Sequence, residues 1–156
     1  MSLKHRLLAA AYQPLKQRNA LLRLVSGHQG GRLRVLLYHD IAPTDEACFA
    51  AQLRWLSRSW RFITPSDFSA MISGEEAVVE DCLLLTFDDG FASNRQIAET
   101  VLNPMGIKAL FFIVSEYAVL SDTADWRGFV AQNIYPGLQP ENVPAHWRNM
   151  RWHDLA

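Results

Sequence analysis

Hydrophobic residues in this chain form short continuous runs that alternate with segments of helical periodicity. The runs cover residues 33–39, 83–87 and 108–114, and a brief extended piece follows at Phe62-Ile63. Short apolar runs bounded by turn-forming residues are typical of strands that are buried on both faces of a parallel sheet. We therefore predict an α/β fold in which parallel strands alternate with flanking helices.

The segments between these runs predict three helices. Residues 45–60 repeat apolar side chains at helical spacing. Thr64 is followed by proline, which predicts a helix N-cap, and Gly74 is a natural end for that helix. Ser93 and Gln96 have the spacing of a capping box, so we predict that the third helix opens at Ser93.

The regularity fades beyond residue 120. Glycine and proline interrupt this part of the chain, and we predict loops with one short helix near residues 126–133. Residues 151–156 look like the opening turn of another helix. A complete (β/α) barrel needs about 250 residues. The pattern therefore predicts a partial (β/α) barrel that is incomplete at its C-terminal side.

Charge is distributed unevenly along the 156 residues. The net charge is −1, but residues 1–39 hold seven Lys or Arg and no acid. We divide the chain into a basic amphipathic leader, residues 1–31, and a domain, residues 32–156. Residues 1–25 could rest on an anionic membrane surface, or they could form a solvated helix. No secretory signal is evident, so we expect a cytoplasmic protein with membrane contact as an option.

Asp88 and Asp89 are the strongest candidates for chemistry. They directly follow the run at residues 83–87, at the carboxyl end of a predicted strand, where α/β folds place their active sites. Adjacent carboxylates repel one another unless a cation or a proton intervenes, which suggests a metal site. Asp-Gly is also a common turn sequence, so a turn without chemistry is the alternative.

The order of these motifs resembles that of polysaccharide deacetylases. The motifs are Val-Leu-Leu-Tyr-His at 35–39, Leu-Leu-Thr-Phe-Asp-Asp-Gly at 84–90 and Ala-Leu-Phe-Phe-Ile at 109–113. The similarity is to the NodB-homology domain of carbohydrate esterase family four, and it covers about residues 33–118. The resemblance implies a distorted (β/α) barrel and a hydrolase that removes N-acetyl, or sometimes O-acetyl, groups from an acetylated polysaccharide or amino sugar.

The resemblance also implies roles for individual residues. Asp88 would be the general base, and Asp89 would be a ligand to a divalent metal, with zinc as the first expectation. His39 ends the first strand, so it and Tyr38 are candidates for contacting the substrate or supporting the carboxylates. A hydrogen-bonded structural histidine is the alternative for His39.

One part of the family pattern is missing from the sequence. The family completes its metal site with a His-x-x-x-His segment, and none occurs in the 156 residues. We therefore expect a truncated chain that is inactive alone. The alternative is a non-catalytic remnant that binds a carbohydrate or a protein partner, and open sheet edges would favour self-association. No phosphate-binding G-x-x-x-x-G-K-[ST] loop occurs, which argues against nucleotide chemistry. We also expect no nucleic-acid partner.

Overall fold

The computed structural model describes residues 30–121 and 123–155. Of Leu155 it describes the backbone alone. The chain divides into two units at Gly31, and the description below concerns the second unit, from Arg32 onward. The predicted leader lies outside the described residues except for its last two glycines. The membrane contact predicted for residues 1–25 therefore stays a prediction.

The described strands form one parallel sheet around a central strand. The strands are β1 (Leu33–Tyr38), β2 (Arg61–Phe62), β3 (Cys82–Phe87) and β4 (Ala109–Phe111). β3 lies between β1 and β2, and β4 pairs with the C-terminal half of β3. The register aligns Leu33 with Cys82 and Tyr38 with Phe87, so β1 and β3 end together. The predicted α/β class, an open parallel sheet with flanking helices, is confirmed.

Helices and short turns connect the strands. The α-helices are α1 (Glu46–Leu56), α2 (Pro65–Ser73), α3 (Ala92–Ile97), α4 (Ser115–Ala118) and α5 (Trp126–Phe129). π-helical turns at Ala98–Leu102 and Val130–Ile134 prolong α3 and α5, and 3₁₀ turns lie at Pro43–Asp45, Pro140–Asn142, Ala145–Trp147 and Trp152–Leu155. None of the described helices has the length and apolar character needed to span a bilayer.

Both ends of α2 are as predicted. Thr64 Oγ1 accepts a hydrogen bond from Asp67 N at 3.1 Å, and Asp67 Oδ2 accepts one from Thr64 N at 2.9 Å. This reciprocal pair is a capping box. Gly74 ends the helix with φ 81°, a left-handed conformation that glycine adopts without a steric cost.

The predicted start of α3 is wrong. The helix begins at Ala92, with Phe91 as its N-cap and no side-chain capping bond. Ser93 lies inside the first turn, and its hydroxyl donates to Asp40 Oδ1 at 2.6 Å. A hydrogen bond to a carboxylate is stronger than one to a neutral backbone group. The tertiary partner of Ser93 therefore displaces the local cap that the sequence indicates.

β3 is buried on both faces, as its apolar run predicts. Leu85 and Phe87 pack with buried residues of α1 and the α3 segment, among them Leu53 and Ile97. Cys82 and Leu84 pack on the other face with Met71 of α2 and with Ile63. A strand held in this way on both faces gives the residues that follow it a rigid support.

The prediction of a fully buried strand at residues 108–114 is wrong. β4 has three half-buried residues, and the side chain of Phe112, just beyond it, is 53% exposed. Among the described residues β4 pairs only with β3, so one edge of β4 is not covered by another strand. Val35 and Leu37 of β1 are also half exposed. We call Val35, Leu37 and Phe112 the open apolar surface.

Candidate active site

Asp88 is held at the end of β3 by its backbone. Its N–H donates to the carbonyl of Tyr38 at 2.9 Å, which extends the pairing of β1 and β3 by one residue. The carbonyl of Asp88 accepts from Asn94 Nδ2 at 3.1 Å, and Asn94 is fully buried. The position of Asp88 is therefore fixed from both the sheet and α3.

The chain turns sharply after Asp88 through two left-handed residues. Asp89 has φ 71° and Gly90 has φ 75°, and Asp89 is the only non-glycine residue with positive φ in the described part of the chain. A Cβ added at Gly90 would lie 2.9 Å from Ile113 Cγ2, so a side chain there would be obstructed as well as strained. Aspartate tolerates the left-handed region better than most residues. Strained backbone of this kind is concentrated at functional sites.

The two carboxylates lie in different surroundings. Asp88 Oδ1 is buried without a hydrogen-bond partner among the described residues, and Asp88 Oδ2 is 4.0 Å from His39 Nε2. Asp89 Oδ2 accepts a hydrogen bond from Tyr135 Oη at 3.3 Å. Burial raises the pKa of Asp89 above its ordinary value, while the neighbouring His39 and the Tyr135 bond act in the opposite direction.

Tyr135 acts as a donor toward this site. Burial, and then the charge of Asp89, raise the pKa of Tyr135 to about 12. The phenol therefore keeps its proton at neutral pH and donates to the carboxylate. A hydrogen bond to an ionised carboxylate stabilises its charged form, which opposes the effect of burial.

A depression opens beside the carboxylates. It has a volume of about 450 Å³ and is lined by Leu37, Asp88, Asp89, Phe112, Ile113 and Val114. Two of these residues, Leu37 and Phe112, belong to the open apolar surface. The depression therefore combines two carboxylates with an apolar wall, a combination that suits a ligand with both polar and apolar parts.

Asp40 is the centre of a second polar cluster. Its Oδ2 accepts from Trp147 Nε1 at 2.7 Å and lies 2.9 Å from His146 Nε2, while its Oδ1 accepts from Ser93. Serine, histidine and aspartate together suggest a hydrolase triad. However, the carboxylate lies between the other two, so Ser93 bonds the aspartate and not the histidine, unlike the serine of a triad. We conclude that this cluster holds segments of the chain together.

Aromatic rings connect the two clusters. Trp147 stacks on Tyr135 with ring centroids 4.9 Å apart and on Phe91 with centroids 5.1 Å apart. Tyr117 Oη donates to the carbonyl of Trp147 at 2.6 Å. The segment that carries Trp147 is thus fixed by its ring, its indole N–H and its backbone.

The same segment is bonded to the backbone beside the carboxylates. Met150 N donates to the carbonyl of Gly90 at 2.8 Å, and Ala92 N donates to the carbonyl of Arg148 at 2.7 Å. Phe91 and Asn149 form an antiparallel bridge between these two bonds. Residues 145–150 therefore lie directly against the Asp89-Gly90 turn.

The structure brings together three of the four residues predicted for the site. Asp88, Asp89 and His39 lie at the carboxyl ends of β3 and β1. The ring of Tyr38 packs in the core against Phe49 and Phe87, with centroids 5.1 Å and 5.8 Å away, and Tyr38 reaches the site through its carbonyl. The roles assigned to these residues stay predictions.

Sequence reasoning missed Asp40, Asn94 and Tyr135. Asp40 follows His39 at a strand end, so the argument that identified Asp88 could also have found it. Asn94 is one turn into α3, where no local pattern distinguishes it. Tyr135 lies in the irregular part of the chain, and its place beside Asp89 depends on long-range stacking.

The described residues do not make a complete catalytic zinc site. The unpaired Oδ1 of Asp88 and the half-buried carboxylate of Asp89 suit a divalent cation. A catalytic zinc takes three protein ligands and a water. Among the described residues no group of three or more His, Cys, Asp or Glu side chains could hold a metal ion.

Fold and site define a class of protein. The described residues form an open parallel sheet with an acidic pair at the carboxyl end of its central strand, the edge where α/β folds place their active sites. The structure of IcaB from Ammonifex degensii aligns with 61% of this chain and 43% of its own, with a TM-score of 0.55 and 32% identity. The BpsB deacetylase domain from Bordetella bronchiseptica aligns with 81% of this chain and 49% of its own, with a TM-score of 0.54 and 19% identity, and supports the fold.

Sequence comparison points to the same family. YxkH of Bacillus subtilis (strain 168), a protein named as a candidate polysaccharide deacetylase, is 31% identical in an alignment 114 residues long that covers 68% of this chain and 40% of YxkH. No family model matches the chain. These similarities support a polysaccharide deacetylase domain that covers part of this chain. The chain spans less than half the length of each of these relatives.

Proposed function

We propose that this chain supplies the catalytic aspartates of a metal-dependent deacetylase that acts on an acetylated polysaccharide or amino sugar. The observation that carries the proposal is the pair Asp88 and Asp89, two adjacent carboxylates in different surroundings at the end of a rigid strand. The relationship to IcaB and to YxkH supports the substrate class.

Asp88 is proposed as the general base. Its side chain lines the depression beside the strand end, and its backbone is fixed by Tyr38 and Asn94. In hydrolysis of an acetamide, water adds to the acetyl carbonyl carbon as the base takes one of its protons; the C–N bond then breaks, the amine leaves with that proton, and acetate is released. His39 lies near enough to Asp88 to contact either the carboxylate or a bound sugar.

Asp89 is proposed as a ligand to a divalent metal, zinc by first expectation. Its side chain is oriented by Tyr135 and by the left-handed turn. Because the described residues do not complete a three-ligand set, we propose that the 156 residues alone do not catalyse the reaction. The missing ligands would come from polypeptide outside these residues.

The coding DNA offers a direct test. A His-x-x-x-His segment encoded within a few dozen codons after codon 156, in any frame, would support the proposal that the missing ligands lie outside these residues. If no such segment is found there, the proposal that the same gene supplies the missing ligands is wrong.

A second candidate function is a binding or association module without catalysis. The open apolar surface favours it, because the side chains of Val35, Leu37 and Phe112 are each about half exposed, and exposed apolar patches often mark interaction sites. The partner would be a second copy of this chain or a protein that covers the same face. This candidate predicts concentration-dependent association, which sedimentation measures.

A further inference from the structure

The Asp40 cluster and the Asp89 carboxylate are linked by a continuous chain of contacts. Asp40 Oδ2 accepts from the indole N–H of Trp147 at 2.7 Å, and the Trp147 ring stacks on Tyr135 at 4.9 Å with an interplanar angle of 28°. Tyr135 Oη then donates to Asp89 Oδ2. Two residues, through three contacts, thus connect one carboxylate to the other.

Each contact restricts the next group in the chain. A hydrogen bond to a carboxylate is short and directional, so it fixes the indole in its own plane. Phe91 packs nearly parallel to Trp147, at 11°, and covers the indole as well. Displacing a stacked ring reduces its contact area, which is unfavourable. A fixed Trp147 indole therefore restricts the position of the Tyr135 phenol.

Asp89 needs support of this kind. Its φ of 71° is unfavourable for a residue with a side chain, and such a conformation persists only where its surroundings determine it. The hydrogen bond from Tyr135 is the side-chain contact described for its carboxylate. Loss of Tyr135 from its present place would leave the carboxylate free to rotate.

We propose that Asp40 is a positioning residue that fixes the Asp89 carboxylate through Trp147 and Tyr135. The relevance to catalysis rests on the proposed function, in which Asp89 is a ligand to a divalent metal. The chain of contacts from Asp40 to Asp89 does not depend on that function. Asp40 would therefore contribute to the site without touching substrate.

Nuclear magnetic resonance of the 156-residue chain tests the link. Three signals are followed: the Trp147 indole N–H, the Tyr135 ring and the Asp89 carboxyl carbon. They are assigned, in that order, by their loss or shift in Trp147→Phe, Tyr135→Phe and Asp89→Asn. In Asp40→Ala we expect all three signals to move, while the amide signals of β3 stay in place. In Asp40→Asn, which keeps one acceptor oxygen, the three should move together by a smaller amount.

Ser93→Ala is the matched control. It removes another hydrogen bond to the same carboxylate but touches neither Trp147 nor Tyr135, so all three signals should stay. A Tyr135 or Asp89 signal that remains fixed while the indole signal moves would overturn the proposal. If the β3 amide signals of Asp40→Ala lose their dispersion, that variant is unfolded. The proposal is then tested by whether the three signals move in Asp40→Asn and stay in place in Ser93→Ala.

This experiment is independent of turnover. Correlated movement of the three signals supports the positioning role even if the protein is no deacetylase. Conversely, uncorrelated movement removes the role of Asp40 and leaves the deacetylase proposal intact.

Discussion

The indole nitrogen of Trp147 lies 2.7 Å from a carboxylate oxygen of Asp40, which precedes it by 107 positions. This bond joins the end of the first strand to the segment that lies against the Asp89-Gly90 turn. It is one of three polar contacts to the same carboxylate, whose side chain is 15% exposed. Loss of this carboxylate should therefore lower the free energy of unfolding.

We expect Asp40→Ala to lower the free energy of unfolding by about 4 kcal/mol or more, because it removes three contacts and each hydrogen bond to a charged group contributes about 1.5–3 kcal/mol. Ser93→Ala, which removes one of the contacts, should cost about 1.5 kcal/mol. Urea denaturation followed by circular dichroism measures both. Equal losses in the two variants would show that Asp40 is stabilised mainly by Ser93.

Gly90→Ala should destabilise the protein more than Gly74→Ala. Both glycines have positive φ, 75° and 81°, so both variants incur a strain of about 1–2 kcal/mol. Only at Gly90 does an added Cβ meet another residue, at 2.9 Å from Ile113 Cγ2. We expect the difference to be about 1–3 kcal/mol in thermal or urea unfolding, the usual cost of overpacking. Equal effects would mean that Ile113 moves away freely.

Asp67 should make α2 sensitive to acid. The backbone N–H of Thr64 holds the pKa of Asp67 below its ordinary value of 3.8, with the Thr64 hydroxyl adding to the effect. A carboxyl whose pKa is lower in the folded state contributes stability above its unfolded pKa and loses it as pH falls through the folded pKa. The stability difference between wild type and Asp67→Asn should therefore be largest near neutral pH and shrink below about pH 4. Urea midpoints at several pH values measure it.

Thr64→Ala is the control for this prediction. It keeps the backbone N–H that is the main cause of the lowered pKa, so it should retain most of the acid sensitivity. A stability difference between wild type and Asp67→Asn that does not change with pH would contradict the role of the capping bond.

Zinc should not bind the purified 156-residue chain in a one-to-one ratio, because the described residues offer fewer than three ligands. Acetate release from chitin oligomers with added zinc should also be negligible. Isothermal titration and an acetate assay measure the two quantities. One bound zinc that is lost in Asp89→Asn, or acetate release that Asp88→Asn abolishes, would show that the chain completes the site by itself.

The open apolar surface should drive association. We expect wild type to sediment faster as its concentration rises, and we expect Leu37→Lys with Phe112→Lys to reduce this effect. Ile72→Lys is the control, since Ile72 is 65% exposed on α2 and outside the defined surface. Unchanged sedimentation in the double variant would exclude this surface as the contact.

The sequence predicts those features that local patterns determine. The run at 83–87 became the buried strand β3, and Thr64 and Gly74 delimit α2, because burial and backbone conformation act over a few residues. The position of Asp88 and Asp89 at the end of β3 follows from the same pattern.

Features that depend on distant partners could not be predicted. Ser93 has the spacing of a cap, yet its hydroxyl bonds Asp40, which precedes it by 53 positions. The run at 108–114 is apolar enough for a buried strand, but its exposure depends on whether another strand covers its second edge. Tyr135 reaches Asp89 from a segment that packs against Trp147 and Phe91, which are distant from Asp89 or Tyr135 in sequence.

The bonds from Met150 to Gly90 and from Ala92 to Arg148 join residues that a ribosome makes at different times. The Asp89-Gly90 turn is synthesised well before residues 145–150, and β3 can pair with β1 as soon as both have emerged. The turn cannot take its final form until its later partners arrive. Cotranslational folding should therefore pair β1 with β3 first and assemble the acidic pair afterwards, so the candidate active site should mature later than the strands that support it.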